Sequence, residues 1–317
     1  MALFLREADV AALVGMDDVI DVVERGFREH GAGRAVNRPR QRVAVEGGTL
    51  HVMAAGLPAW GVFGLKSYAV TRDGRRFVSL LYSAESGELL AMMEAEGLGR
   101  LRTGAASGVA TRYLARADAG AVGILGCGGQ ARTQLEALAR VRPVALVKAY
   151  SRTPARREAF AEEMVAALGA EVVAVDSAEE AVDGVDVIVT ITSAREPVLR
   201  GAWLRPGVHI NAAGSNAAGR RELDEEAVGR AARVVVDARD QAMVEAGDLL
   251  APIQSGRLSW EQVEELGPIV AGALPGRRSE EEITLFESQG IALEDVATMS
   301  LIYTRARETG RGEEIAR

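Results

Sequence analysis

From Ala121 onward the chain alternates short apolar runs with segments of helical periodicity, and this alternation constrains its fold more than any other feature. "AVGILG", "VALVKAYS", "EVVAV", "VDVIVTIT" and "GVHINAAG" are the apolar runs; "QARTQLEALARV" and "PARREAFAEEMVAAL" lie between the first of them. Strands covered on both faces are apolar throughout, and parallel neighbours need a crossover between them. The pattern therefore predicts a parallel sheet built from βαβ units, with "RVVVDA" near residue 235 as a further strand.

The first of these strands runs into Gly126-Cys127-Gly128-Gly129-Gln130-Ala131, a G-x-G-x-x-A turn that opens a helix. Gly126 permits the tight turn, Gly128 lets a pyrophosphate approach the backbone, and Ala131 lets the helix sit close to the sheet. The helix N-terminus offers free N–H groups and partial positive charge to an anion. A strand before the turn, a helix after it and a βαβ unit around it are the context that turns a common glycine pattern into a dinucleotide site. Cys127 reads as a small filler between glycines.

The second strand ends in Ser151, Arg152 and Thr153, without the acid that would hold a ribose 2′-hydroxyl. An arginine there suits a 2′-phosphate, so the expected cofactor is NADP(H), with NAD(H) as the alternative; a merely solvated Arg152 is the competing reading. Ligands of parallel sheets lie at the carboxyl ends of the strands. Thr190 and Thr192 after "VIVTIT", and Ala213, Gly214 and Ser215 after the next strand, are thus expected beside the nicotinamide half.

The remainder of the chain reads differently. Residues 7–31 carry Val10, Leu13, Val14, Ile20, Val23 and Phe27 at helical spacing, a pair of amphipathic helices. Residues 38–95 alternate around turns at Glu46-Gly47-Gly48, Asp73-Gly74 and Ser86-Gly87, an antiparallel region. "GLGRLRTGAASGVATRYLAR" is a helix rich in small residues. "ALEDVATMSLIYTRARETG" is a helix apolar on one face that comes after the parallel sheet and is expected to pack back on the N-terminal part.

The balance of 37 basic and 45 acidic residues, a formal charge of -8, argues against a nucleic-acid surface. One cysteine excludes an internal disulfide and a cysteine-based zinc site, and no metal is expected. No apolar stretch reaches the roughly 18 residues of a membrane span. Charges at positions 6, 7 and 9 interrupt any signal-peptide core, so the expectation is a cytoplasmic protein.

Several segments in order resemble the ornithine cyclodeaminase/μ-crystallin family: "RPRQRVAVEGGTLHVMAA", "GLKSY", "LRTGAASGVATRYLAR", "GILGCGGQA", "DVIVTITSAREPVL", "PGVHINAAGSNAAGRRELD", "VVVDARDQAMVEAGDL" and "TLFESQGIALEDVAT". The resemblance implies an α/β chain in which a Rossmann doubly wound parallel sheet, residues 116–287, is inserted into a mixed α+β substrate-binding and dimerisation domain, residues 1–115 plus 288–317. It implies a homodimer and NAD(P)-dependent chemistry at the carbon beside a carboxylate. It also places carboxylate-binding cations at Arg40, Lys66 and Arg102. Arg38, Arg40 and Arg42 share one strand face by alternation; Arg40 is preferred because it follows Pro39 as in the family pattern. Met53 lines the pocket or belongs to the core. Thr103 is placed to bond a phosphate or the substrate, and Ser288-Gln289-Gly290 to close over the substrate. Asp295 reads as a structural helix residue, and His30 and His209 as structural.

Two positions depart from the cyclodeaminase pattern, which has Glu where this chain has His51 and Asp where it has Asn216. Those acids suit a diamine, whose distal amine must be held while a proton moves. Asn216 cannot take a proton, but its side-chain oxygen can accept an iminium N–H. The expected reaction is therefore NADPH-dependent reduction of a cyclic 2-imino acid, pyrroline-2-carboxylate or its six-membered homologue, to L-proline or L-pipecolate, with Lys66 and Asn216 as the catalytic pair. Ornithine cyclodeaminase, alanine dehydrogenase and an NADP-dependent binding protein are the alternatives.

Overall fold

A computed structural model describes residues 1–315 of the 317. The chain begins with β1 (Ala2–Leu5), α1 (Glu7–Leu13) and α2 (Met16–Gly31), followed by β2 (Val36–Val45), β3 (Gly48–Leu57), β4 (Val62–Thr71), β5 (Gly74–Ser83), β6 (Leu89–Glu94) and α3 (Glu96–Leu114). It continues through β7 (Ala121–Leu125), α4 (Gly129–Val141), β8 (Leu146–Tyr150), α5 (Pro154–Leu168), β9 (Glu171–Ala174), α6 (Ala178–Val182), β10 (Val187–Thr190) and β11 (His209–Ala212). Then come α7 (Glu225–Arg230), β12 (Arg233–Val236), α8 (Arg239–Glu245), α9 (Gly247–Gln254), β13 (Val263–Glu265), α10 (Leu266–Val270) and β14 (Thr284–Glu287). The long helix α11 (Ala292–Thr309) and β15 (Glu313–Ile315) complete it.

Two compact units result, Met1–Arg102 with the segment from Ile291 onward, and Thr103–Gly290. The first holds a seven-stranded sheet in the order β15-β1-β6-β5-β4-β3-β2. β2 to β6 form the antiparallel meander that the turn residues predict. One face is covered by α11: a Cβ on Gly64 would lie 3.2 Å from Met299 and 3.3 Å from Val296. On its other side α11 meets α2, where a Cβ on Gly26 would lie 3.3 Å from Ala297. The returning helix thus packs on the N-terminal part as expected, but Ala292 to Met299 are all buried rather than apolar on one face only.

The second unit is an eight-stranded sheet, β13-β12-β14-β11-β10-β7-β8-β9, in which every pairing is parallel. The chain runs outward from β7 through β8 to β9, then returns to place β10 on the other side of β7, so the order reverses between β7 and β10. Such a reversal opens the crevice in which α/β sheets bind ligands. The second unit has the α/β Rossmann fold.

The boundary differs from the sequence expectation of residues 115/116 and 287/288. It falls inside α3, whose second half belongs to the parallel sheet: Asn211 donates to the Thr111 hydroxyl at 2.9 Å, and Arg142 donates to the Thr111, Arg112 and Ala115 carbonyls. A helix end is visible in sequence, but a change of packing partner within a continuous helix is not. β1, β13, β14 and β15 are not legible in the sequence either. β14 is the most consequential, because it lies fully buried between β11 and β12. Among the described residues, no helix is long and apolar enough to cross a membrane.

Candidate active site

In the second unit the glycine turn sits at the end of β7. Gly126 has φ +113°, a conformation that side chains disfavour, and a Cβ there would lie 2.5 Å from the Ile191 carbonyl. Gly128 caps α4 without a side-chain acceptor, and a Cβ on it would meet nothing within 4 Å. That open space above uncapped helix N–H groups fits a pyrophosphate, so the turn fits a dinucleotide. Gly129 and Gln130 begin the helix, and Ala131 is fully buried beneath it. Thr103 is nearly buried and its carbonyl accepts from Gln134.

At the end of β8, Ser151 donates to the Thr153 carbonyl, Thr153 caps α5, and Arg152 is exposed. The adjacent Arg157 is buried, pairs with Asp176 and donates to the Ser151 carbonyl. The loop thus presents one exposed guanidinium and no acid of its own. Burial, opposed by a bond from Ser151, pushes the Cys127 thiol up, which suits the filler reading.

The ends of β10 and β11 depart from expectation. Thr190 is fully buried and donates its hydroxyl to Glu222 at 2.9 Å, so its expected cofactor contact is corrected: it lies beneath the reachable surface. Thr192 donates its backbone N–H to Glu222 and accepts from Ala194. Ala213 continues the ladder to the Thr190 carbonyl. Ser215 is 2% exposed and donates within its own loop to the Arg220 carbonyl at 3.1 Å. Gly214 is small for a protein reason: a Cβ there would lie 2.5 Å from the Glu222 carboxylate. Asn216, half-buried, lies in the loop that follows. Gly290 has φ +70°, donates to Asp237 at 2.6 Å and accepts from Gln241, so the segment expected to close over a substrate is tied down through its backbone.

In the first unit Arg40, Lys66 and Arg102 are 5%, 3% and 5% exposed, and both guanidiniums lie close enough to act on the Lys66 ammonium. Lys66 projects from β4 and donates to Asp295 at 3.0 Å. Arg102, on α3, donates to the same Asp295 oxygen at 3.0 Å and to Glu294 at 2.7 Å. Arg40 donates to the Met53 sulfur at 3.3 Å, and Met53 pairs with Lys66 across β3 and β4. Helix α3 admits the ammonium because a Cβ on Gly99 would lie 2.9 Å from Nζ. Burial and then Arg102 pull the Lys66 pKa down to about 8, against the opposing pull of Asp295.

Asp295 is therefore the shared counterion of two site cations and not a plain helix residue. It escaped sequence reading because 229 residues separate it from Lys66. The face argument for Arg38, Arg40 and Arg42 is also corrected. The register between β2 and β3 shifts between Arg38 and Gln41, and only Arg40 is buried. A bulge inserts one residue and re-aims those beyond it.

One step along the same face, His51 stacks on Tyr68 with centroids 4.3 Å apart, and Tyr68 stacks on Phe77 at 5.1 Å. Lys66 Nζ lies 5.7 Å from the Phe77 ring centre. Burial, then Arg42 and Arg40, press the His51 pKa down to about 4, so the imidazole is neutral at pH 7. An uncharged aromatic ladder thus borders the cations. His209 is fully buried between Thr284 and Asn211, the structural role expected of it.

A doubly wound sheet with a glycine turn beside its switch point defines a dinucleotide-binding fold, and the relatives of the chain make it an NAD(P)-dependent oxidoreductase. The chain belongs to the ornithine cyclodeaminase/mu-crystallin family, whose family model matches residues 1–310. It is 37% identical to an alanine dehydrogenase of Archaeoglobus fulgidus, over 99% of this chain and 98% of that one. It is 36% identical to a Delta(1)-pyrroline-2-carboxylate reductase of Bacillus cereus, over 96% of both. Its structure matches that of the Thermococcus litoralis Delta(1)-pyrroline-2-carboxylate reductase in complex with NADH and L-proline, with a TM-score of 0.95 and 39% identity, covering 99% of this chain and 100% of that one.

Proposed function

We propose that the protein reduces a cyclic 2-imino acid, pyrroline-2-carboxylate or its six-membered homologue, to the L-amino acid. The observation that carries this reading is the buried Lys66–Asp295–Arg102 arrangement beside an uncharged aromatic ladder. A bound reduced nicotinamide supplies the hydride that saturates the C=N bond. Arginine presents a fork of donors that matches a carboxylate, and Arg40 and Arg102 hold that of the substrate. Lys66 titrates near pH 8, so its ammonium binds the same acid and exchanges a proton with solvent-derived water or the product nitrogen. Asn216 accepts the iminium N–H without taking its proton. A ladder led by neutral His51 leaves a second, cationic amine without the carboxylate it needs, which disfavours a diamine substrate.

NADP(H) is the proposed cofactor because Arg152 is the exposed charge at the end of β8. Arg152→Ala should then raise the KM for NADPH at least about tenfold, the cost of a charge-assisted bond, while leaving NADH unchanged. Equal effects on both cofactors would remove the role.

A second copy of the chain is the proposed partner. Val36, Val43, Val45, Leu50, Phe63 and Val78 are exposed, and register places all six on the sheet face opposite Lys66. An apolar sheet face of that kind marks an association surface.

The similarity to an alanine dehydrogenase supports a second reading on the same residues, amination of a small 2-oxo acid. Purified protein assayed with each cyclic imine, with pyruvate plus ammonia, and with ornithine separates the readings. Imine reduction should be the fastest; robust ornithine-to-proline turnover without imine reduction would defeat the proposal.

A further inference from the structure

Glu222 is fully buried at the carboxyl end of the parallel sheet, where its side chain joins two strand ends. Oε1 accepts the Thr192 N–H at 2.6 Å; Oε2 accepts the Gly214 N–H at 2.8 Å and the Thr190 hydroxyl at 2.9 Å. The β10–β11 ladder ends at the bond from Ala213 to the Thr190 carbonyl. Beyond it the Thr192 and Gly214 N–H groups need acceptors, since a buried N–H left without one is costly. Two carboxylate oxygens meet three donors, which a single amide or hydroxyl acceptor does not.

The segment that carries Glu222 is itself fixed. Asp248, near the start of α9, accepts the Glu222 and Leu223 N–H groups at 2.7 Å each, and it is hydrogen-bonded to Glu287 at the end of β14. Asp237, after β12, accepts from Gly290 and Ser288. Each of these loops at the ligand end of the sheet is held by a carboxyl group. These acids face backbone donors and one another.

We propose that Glu222 is a positioning residue: by fixing Thr192 and Gly214 relative to each other, it sets the surface that orients the nicotinamide ring. This rests on the reductase reading above. The ring is held for transfer while the glycine turn at Gly126–Ala131 supplies affinity, so orientation and binding separate. A Cβ on Gly214 would strike the carboxylate, which explains why that strand end carries no side chain.

Glu222→Gln keeps the volume but turns one acceptor into an N–H₂ that opposes a backbone N–H. Three measurements follow on the full chain. In cofactor-free protein at pH 8, where the Glu222 carboxyl is ionised, amide exchange at Thr192 or Gly214 should quicken at least about tenfold relative to wild type, the loss of one bond to a charged acceptor. In an NADH titration, the Kd should stay within about threefold of wild type, while the emission of the bound reduced nicotinamide falls toward its free value. With imine present, kcat should fall about 100-fold, the cost of roughly 1 Å of misplacement. Thr190→Val, which removes a donor and leaves both amide bonds, should stay within about threefold in all three. If Glu222→Gln does not fold, Glu222→Asp, whose carboxylate is withdrawn by one methylene, should show the same split. Wild-type emission of bound NADH in the variant, or a Kd that rises in step with the loss of kcat, would overturn the proposal. If wild-type protein binds NADH but reduces no imine, the reductase reading fails, and exchange and emission still decide the role of Glu222.

Discussion

Lys66 makes the most local prediction. Its ammonium is the protonated form below about pH 8, so kcat/KM for imine reduction should fall as pH rises through that value. Asp295 raises the Lys66 pKa, so Asp295→Asn should move this alkaline limb to lower pH; a limb that stays in place would show that another group titrates. Lys66→Ala removes a proton-transfer group and should cost about 100- to 10,000-fold in kcat/KM. Asn216→Asp should cost less, and the reverse ranking would remove the role given to Lys66. At this scale the sequence was informative where chemistry is local: Lys66 in a half-buried strand and Gly126 and Gly128 in a turn announce themselves. Asp295 and Glu222 do not, because their meaning depends on partners that only the fold brings near.

The parallel sheet carries a prediction that no single residue makes. Burial lifts the Glu222 pKa to about 7 and that of Asp248 to about 6; burial and neighbouring acids hold Glu287 well above the carboxylate range. Unfolded, these groups release their protons near pH 4 to 4.5. Between there and about pH 7 these three acids bind more protons folded than unfolded and favour the fold as pH falls, while His51 and His209, held neutral by burial, oppose them in part below about pH 6.5. Thermal unfolding should therefore show a Tm a few degrees higher at pH 6 than at pH 8, until the carboxylates with lowered values, such as Asp18 beside Arg305, are protonated in stronger acid. A Tm that falls steadily from pH 8 to pH 6 would contradict the shared burial of these acids. The apolar runs identified β7 to β12 because strands covered on both faces need such runs. β14 was hidden by the charged stretch before it. The bulge in β2 was hidden because alternation assumes an unbroken pleat.

The chain carries two units with separate duties: a dinucleotide-binding sheet and a second sheet bearing a buried cation cluster. The exposed apolar face of that second sheet predicts twice the chain mass by light scattering. Phe63→Glu with Val43→Glu should yield monomers, whereas wild-type monomers at micromolar concentration would refute the association surface. The order of units was legible from the change of periodicity at Ala121. Their true boundary inside α3 was not, since a continuous helix gives no sign of changing partners. Imine reduction is tested by supplying purified protein with Δ1-pyrroline-2-carboxylate and either NADPH or NADH, and resolving the product by chirality. Stoichiometric cofactor oxidation, faster with NADPH, and L-proline as the product are expected. Cofactor binding without imine reduction, alongside brisk alanine formation from pyruvate and ammonia, would contradict the reductase reading.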